Sequence, residues 1–224
     1  MNPSQKVDEP LRKGLGRNIY IIGPQSTGKT TLVNALVDNL GEDVSVIREV
    51  ARTVMQEKGY SRIDVDSNDL DRKFALQHDI FNAQVEKENE FIQADTAFVS
   101  DRSAVDPLIY LLHYTGSKTM GRITSTEEWE NVRDRYADTK QSLVVLLSPV
   151  HEFLIDDNVR YIPKNLEDWY LLAANFRLFL VEEGIPFVEI GKEILDIKER
   201  VARVMLDLKS ENWEGDSFGG STSI

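Results

Sequence analysis

Apolar residues are spaced along the chain in two rhythms. Five short runs are apolar almost throughout: 18–23 (NIYIIG), 44–49 (VSVIRE), 96–101 (TAFVSD), 142–149 (SLVVLLSP) and 186–190 (PFVEI). Between them, apolar positions recur every three to four residues. Leu32, Val33, Leu36, Val37 and Leu40 predict a helix over 29–40, stopped by Gly41. A longer helix over 69–93 carries Leu70, Phe74, Gln77, Phe81, Val85 and Phe91 roughly on one side. Further helices are expected over 105–114, 126–136, 166–183 and 193–208. Continuously apolar strands alternating with helices predict an α/β fold, a five-stranded parallel sheet with helices on both faces. Ligands of such sheets bind beyond the carboxyl ends of the strands, so the residues just after each run are the candidates for chemistry.

The 224 residues, 41% of them hydrophobic, suffice for one compact domain. Residues 1–16 read as a flexible leader and 17–209 as the domain. Residues 210–224, rich in Gly, Ser and acid, read as a disordered tail. A formal net charge of −12 opposes binding of long nucleic acid but leaves room for a local basic cleft. The absence of cysteine excludes disulfides, thiolate metal sites and a cysteine nucleophile. No run approaches the roughly 20 apolar residues of a membrane span. The N-terminus lacks the apolar core of a secretory signal. A soluble, cytoplasmic protein is expected, and the pattern specifies no oligomeric state.

Composition narrows little beyond this; the first strand end narrows much more. Gly23-Pro24-Gln25-Ser26-Thr27-Gly28-Lys29-Thr30-Thr31 contains G-x-x-x-x-G-K-[ST], set between a strand and a helix as that motif requires. Gly23 and Gly28 permit the tight path, and the loop amides form an anion nest at a helix N-terminus. Lys29 can reach β and γ phosphates, and Thr30 can place its hydroxyl on Mg²⁺.

Other strand ends carry acids and arginines. Asp101 closes the third run and is suited to hold the same Mg²⁺, with Arg102 beside it for phosphate or an acid partner. Asp106 reads as a helix-start residue before Pro107. Asp95 precedes its strand and so falls at the wrong end. At the end of the second run, Glu49 is suited to accept a proton from an attacking hydroxyl, while Arg48 and, three residues on from Glu49, Arg52 can hold a polar or anionic substrate. Asp156, Asp157 and Arg160 lie in a polar stretch after the fourth run, where a lid over a transferring phosphoryl group is expected, with Arg177 a second arginine. Gln77, on the long helix, can overhang an acceptor pocket and contact a base edge. Gly191 and Lys192 can shape a base pocket. His78, His113 and His151 have no ligand spacing and read as helix-face or loop residues.

Taken in order, GPQSTGKTTL, REVAR, DRSAVD and DDNVRYIP resemble the NadR-like AAA-domain P-loop kinases, which include the nicotinamide riboside kinase module, over about 17–208. Arg48-Glu49 and Asp101-Arg102-Ser103 are also similar to segments of deoxynucleoside and thymidylate kinases. The resemblance implies a P-loop NTPase fold with a lid, ATP or GTP with Mg²⁺, and transfer to a small hydroxyl or phosphate acceptor. It implies Glu49 as base or substrate contact and Arg160 as the lid arginine. The chain is expected to lack the adenylyltransferase domain of the bifunctional relatives and the second region of ring ATPases.

The expected activity is therefore phosphoryl transfer from a nucleoside triphosphate to a nucleoside-like hydroxyl. Lys29, Glu49, Asp101 and Arg160 are the expected catalytic set, and Arg48, Arg52, Gln77 and Arg102 the expected substrate contacts. Two alternatives stay open: a nucleotide-dependent switch with slow hydrolysis, although no N-K-x-D guanine motif is present, and a polynucleotide 5′-kinase.

Overall fold

The computed structural model describes residues 15–41, 44–61, 64, 68–154, 165–210, 213 and 215. Five strands form one parallel sheet: β1 (Asn18–Ile22), β2 (Ser45–Ile47), β3 (Phe98–Asp101), β4 (Ser142–Leu147) and β5 (Phe187–Ile190), in the order β2-β3-β1-β4-β5. Eight helices among the described residues connect and cover them: α1 (Lys29–Leu40), α2 (Val50–Glu57), α3 (Leu70–Gln93), α4 (Val105–Thr115), α5 (Ser117–Thr124), α6 (Glu127–Ala137), α7 (Leu166–Glu182) and α8 (Ile197–Lys209). A short 3-10 turn covers His151–Phe153.

The continuous apolar runs follow from a sheet buried on both faces. Alternate residues of β1 enter different cores: Tyr20 and Ile22 join one side, with Phe81, Leu108 and Phe176, while Ile19 and Ile21 join the other, with Leu32, Leu36 and Val204. Strand β4 alternates in the same way, Val144 and Leu146 against Leu143, Val145 and Leu147. No side of these strands tolerates a polar stripe, which is why the period-2 signal is missing from their sequence.

Helix starts are chemically marked. Asp69, Thr126, Asn165 and Asp196 each accept a hydrogen bond from an amide in the first turn of α3, α6, α7 and α8. Asp196 places the start of α8 at Ile197, one turn later than the apolar rhythm from 193 suggests. Helices α2 and α5 escape the rhythm because each has only eight residues; VARTVMQE and SKTMGRIT carry β-branched residues or an internal glycine.

The beginning and end of the domain meet. An Arg17 Nη2 donates to the carbonyls of Asp207, Leu208 and Ser210, at 3.1, 2.8 and 2.6 Å, and the guanidinium lies 5.8 Å from the Trp213 ring. Trp213 packs into the α1/α8 core. No helix among the described residues is long and apolar enough to cross a membrane.

Candidate active site

The loop joining β1 to α1 lies at the carboxyl end of the central strand. Gly23 has φ +130°, and a Cβ there would sit 2.7 Å from the Leu147 carbonyl oxygen. Gly28 has φ +89° and would meet the Arg200 guanidinium at 3.3 Å. Both glycines are thus fixed by backbone conformation and by close neighbours. Lys29 is folded back over the loop, its ammonium donating to the Gly23 carbonyl at 2.8 Å and to the Pro24 carbonyl. Burial, with help from nearby Arg102, lowers its pKa to about 7, although Asp106, Asp101 and Glu49 act in the opposite direction.

Register brings the next element in. Ile21 pairs with Asp101 across β1 and β3, so the end of β3 lies beside the start of the loop. Thr30 Oγ1 donates to Asp101 Oδ2 at 2.6 Å. A hydroxyl and a carboxylate oxygen in contact suit a hard divalent cation, and they fit Mg²⁺ that keeps waters and substrate phosphates as its other ligands. No group of three or more His, Cys, Asp or Glu side chains able to hold a metal occurs among the described residues.

The chain turns sharply after Asp101. Arg102 has φ +91°, an uncommon conformation for a residue with a Cβ. Three successive amides of this turn are held: Arg102 N–H by the Ile21 carbonyl, Ser103 N–H by the Asp106 carboxylate and Ala104 N–H by the Tyr136 hydroxyl, at 3.0, 2.9 and 3.0 Å. The turn aims Arg102 at the end of β2, where its Nε donates to Glu49 at 2.7 Å. A second guanidinium nitrogen lies 3.3 Å from Asp106. Arg52 donates to the other oxygen of Glu49 at 3.0 Å. Burial alone would raise the Glu49 pKa, but Arg102, Arg52 and Lys29 hold it below the ordinary value. Burial likewise opposes the charge on Arg102, yet Tyr110, Glu49, Asp106 and Asp101 keep its pKa above normal. Asp106 is raised by burial.

These groups open onto a cavity of about 510 Å³, within the range of small-molecule sites. One end is formed by Gln25, Ser26, Gly28, Lys29, Thr30 and Thr31 of the loop, and Glu49, Arg52, Arg102 and Asp106 line it as well. The rest of the wall is mostly apolar and aromatic, with Met55, Leu76, Ile80, Tyr110 and Tyr114 beside the amides of Gln77 and Gln84. Gln84 is buried, its Nε2 donating to Glu88 at 2.9 Å and Ser100 at 3.1 Å.

The structure thus gathers Lys29, Thr30, Glu49, Arg52, Gln77 and Arg102 about one space, with Asp101 directly behind Thr30. Arg48 lies apart: it donates to Asn34 of α1 at 2.5 Å and does not line the cavity. Pro24 and Thr27 are buried in the loop and also do not line it. Asp156, Asp157 and Arg160 lie outside the described residues. Arg177 pairs with Glu189 and, with Gly191 and Lys192, lines a separate cavity of about 480 Å³. His113 contacts Asp168 and Asn175, and His78 stacks on Phe74. Sequence reasoning passed over Tyr110, Tyr114 and Gln84. Their helical spacing reads as core, and only the four-residue step from Arg102 to Asp106 hinted that Asp106 faces the site.

Comparison with known proteins agrees with this fold. Three solved structures of deoxyadenosine kinase from M. mycoides share the fold. The one with bound dATP superposes with a TM-score of 0.58 at 17% identity, covering 86% of this chain and 100% of that one. The form with dCTP gives 0.54 at 19% identity, covering 85% and 98%. The form with dCMP and a flexible dCDP gives 0.51 at 17% identity, covering 85% and 97%. No curated protein matches the sequence significantly. Residues 18–200 match the family described as AAA domain, and the chain belongs to that family of P-loop NTPases.

Proposed function

We propose that this protein is a small-molecule kinase that moves the γ-phosphoryl group of ATP or GTP to a nucleoside-like hydroxyl, with nicotinamide riboside among the candidate acceptors. The observation that carries this reading is the position of Glu49. It faces the same cavity as the phosphate loop and keeps an ionised carboxylate beside Arg102, while an aromatic and apolar wall with two amides extends from it. A site meant only for hydrolysis has no use for such a wall. The bound deoxynucleotides of the M. mycoides kinases add weight to a nucleoside-like acceptor.

Each residue has a part in the transfer. Loop amides and Lys29 hold the β and γ phosphates. Thr30 and Asp101 would hold Mg²⁺, which would supply positive charge to offset that of the phosphates. Glu49 takes the proton of the acceptor hydroxyl as its oxygen bonds to the γ phosphorus, and the bond from that phosphorus to the β,γ-bridging oxygen breaks to release the diphosphate. Arg102 orients Glu49 and offsets charge on the transferring group, and Arg52 supports it. Tyr110, Tyr114, Gln77 and Gln84 shape the acceptor's place. Positioning and electrostatics supply most of the acceleration.

The test is release of ADP or GDP with Mg²⁺ in the presence of nucleosides, nicotinamide riboside, nucleoside monophosphates or a short 5′-hydroxyl oligonucleotide, with Lys29→Ala as blank. Release stimulated by one nucleoside-class acceptor is the expected result. Tight nucleotide binding with no stimulation by any acceptor would replace this reading with a nucleotide switch.

A further inference from the structure

The phosphate loop is gripped from behind by two side chains from distant parts of the chain. Trp169, fully buried in the first turn of α7, donates its indole N–H to the Gln25 carbonyl at 2.9 Å. Arg200, 1% exposed in the first turn of α8, donates to the Thr27 carbonyl at 3.1 Å. The Arg200 guanidinium is itself held: its Nε donates to the Ile194 carbonyl at 2.8 Å, and its centre lies 4.7 Å from the Phe153 ring. Its remaining terminal nitrogen has no hydrogen-bond partner among the described residues. Burying a cation with an unmet donor is costly, so some gain elsewhere must justify it.

The planarity of the peptide supplies that gain. No peptide bond among the described residues is cis. In a trans peptide the N–H points opposite to the C=O of the same unit. A Gln25 carbonyl fixed on Trp169 therefore turns the Ser26 amide the other way, and a Thr27 carbonyl fixed on Arg200 does the same for the Gly28 amide. Ser26 and Gly28 line the cavity, whereas Trp169 and Arg200 do not. The two grips thus come from outside the cavity, and a peptide whose carbonyl is turned to them has its N–H turned away from them. The conformation at Ser26 is demanding, with φ +59° in a residue that carries a Cβ, and a loop left to itself would relax from it.

We infer that Trp169 and Arg200 are positioning residues for nucleotide binding, struts that pull two loop carbonyls outward so that the amides of Ser26 and Gly28 are presented to the phosphates. The inference rests on the loop holding a nucleotide, and not on which molecule accepts the phosphoryl group. Neither side chain touches the ligand. Their effect is therefore on phosphate and is the same for any base.

The experiment is titration calorimetry of the full chain with Mg²⁺ and ADP, GDP or pyrophosphate, alongside thermal unfolding. Trp169→Phe keeps the ring and removes the donor; Arg200→Met keeps much of the volume and removes the charge. Trp129→Phe is the control, because its indole N–H donates to Glu183, far from the loop. The expected result is a Kd raised about 3- to 10-fold by Trp169→Phe, by one common factor for all three ligands, with Trp129→Phe unchanged. If Arg200→Met fails to fold, Trp169→Phe still decides. A folded Trp169→Phe protein binding within twofold of wild type overturns the inference. So does a loss seen with ADP but not pyrophosphate, which would put the tryptophan at the base, and so does an equal loss in the Trp129 control. A wild-type protein that binds none of the three ligands overturns the phosphate-site reading itself, and the struts fall with it.

Discussion

The Thr30 hydroxyl donates to the Asp101 carboxylate at 2.6 Å, joining the first turn of α1 to the end of β3. The contact spans 71 residues of sequence, and parallel pairing of β3 with β1 makes it possible. If the pair holds Mg²⁺, Asp101→Asn should weaken Mg²⁺-dependent nucleotide binding by about 10- to 100-fold and leave metal-free binding nearly as it was. Titrating nucleotide with and without EDTA separates the two. Equal weakening in both conditions would remove the metal role.

Glu49→Gln should lower acceptor-dependent kcat by about 10²–10⁴-fold while the nucleotide Kd stays close to wild type. The pH profile carries a second sign. Arg102 holds the Glu49 pKa below the ordinary glutamate value, so the acid limb of kcat/KM should lie below it. Arg102→Met removes that cation, and the limb should move up in pH. A limb that stays in place would show that another group titrates.

Lys29 makes nucleotide affinity pH-dependent. Burial lowers its pKa in the free protein to about 7, well below that of an ordinary lysine. A bound polyphosphate restores the charge, so complex formation takes up a proton wherever the free amine is neutral. Affinity for Mg·ADP should be flat below that pKa and fall as pH rises above it, at most about tenfold per unit. Calorimetry in buffers of different ionisation enthalpy would count the proton. Lys29→Met should bind weakly with no such slope; an unchanged slope in that variant would assign the proton elsewhere.

Away from the cavity mouth, Glu88 is buried and accepts from Gln84, Tyr136 and Arg135, the last at 2.6 Å. Arg135→Met alone leaves that carboxylate without its cation and should destabilise the fold by about 3–5 kcal/mol. Adding Glu88→Gln should recover a good part of the loss. Urea unfolding of the single and double variants measures it, and strictly additive losses would mean the pair is not coupled.

The five-stranded sheet and the phosphate loop were legible because each has a dense local signature: continuous apolar runs, and a glycine-bracketed motif between strand and helix. The placement of Glu49 and Asp101 followed from the rule that strand ends carry function. Other features depend on contacts that leave no local mark. Arg102 reads as a partner for phosphate or an acid, but its positive φ and the two carboxylates it meets, Glu49 and Asp106, leave no mark in the sequence. Arg48 occupies as promising a sequence position as Glu49, yet neighbouring residues at a strand end leave in different directions, and Arg48 turns to Asn34. Tyr110 and Trp169 have the spacing of core residues; Trp169 is buried, and Tyr110 packs against the core at the cavity wall. Their polar tips reach Gln25, and only three-dimensional proximity reveals it.

The clasp of Arg17 on the last carbonyls of α8 brings the two ends of the folded unit within a hydrogen bond of each other. A domain closed in this way enters and leaves its own surface at a single point. It can be spliced into a loop of a host protein with little strain on either partner, or its ends can be joined and new ones cut at an exposed turn such as Gly116.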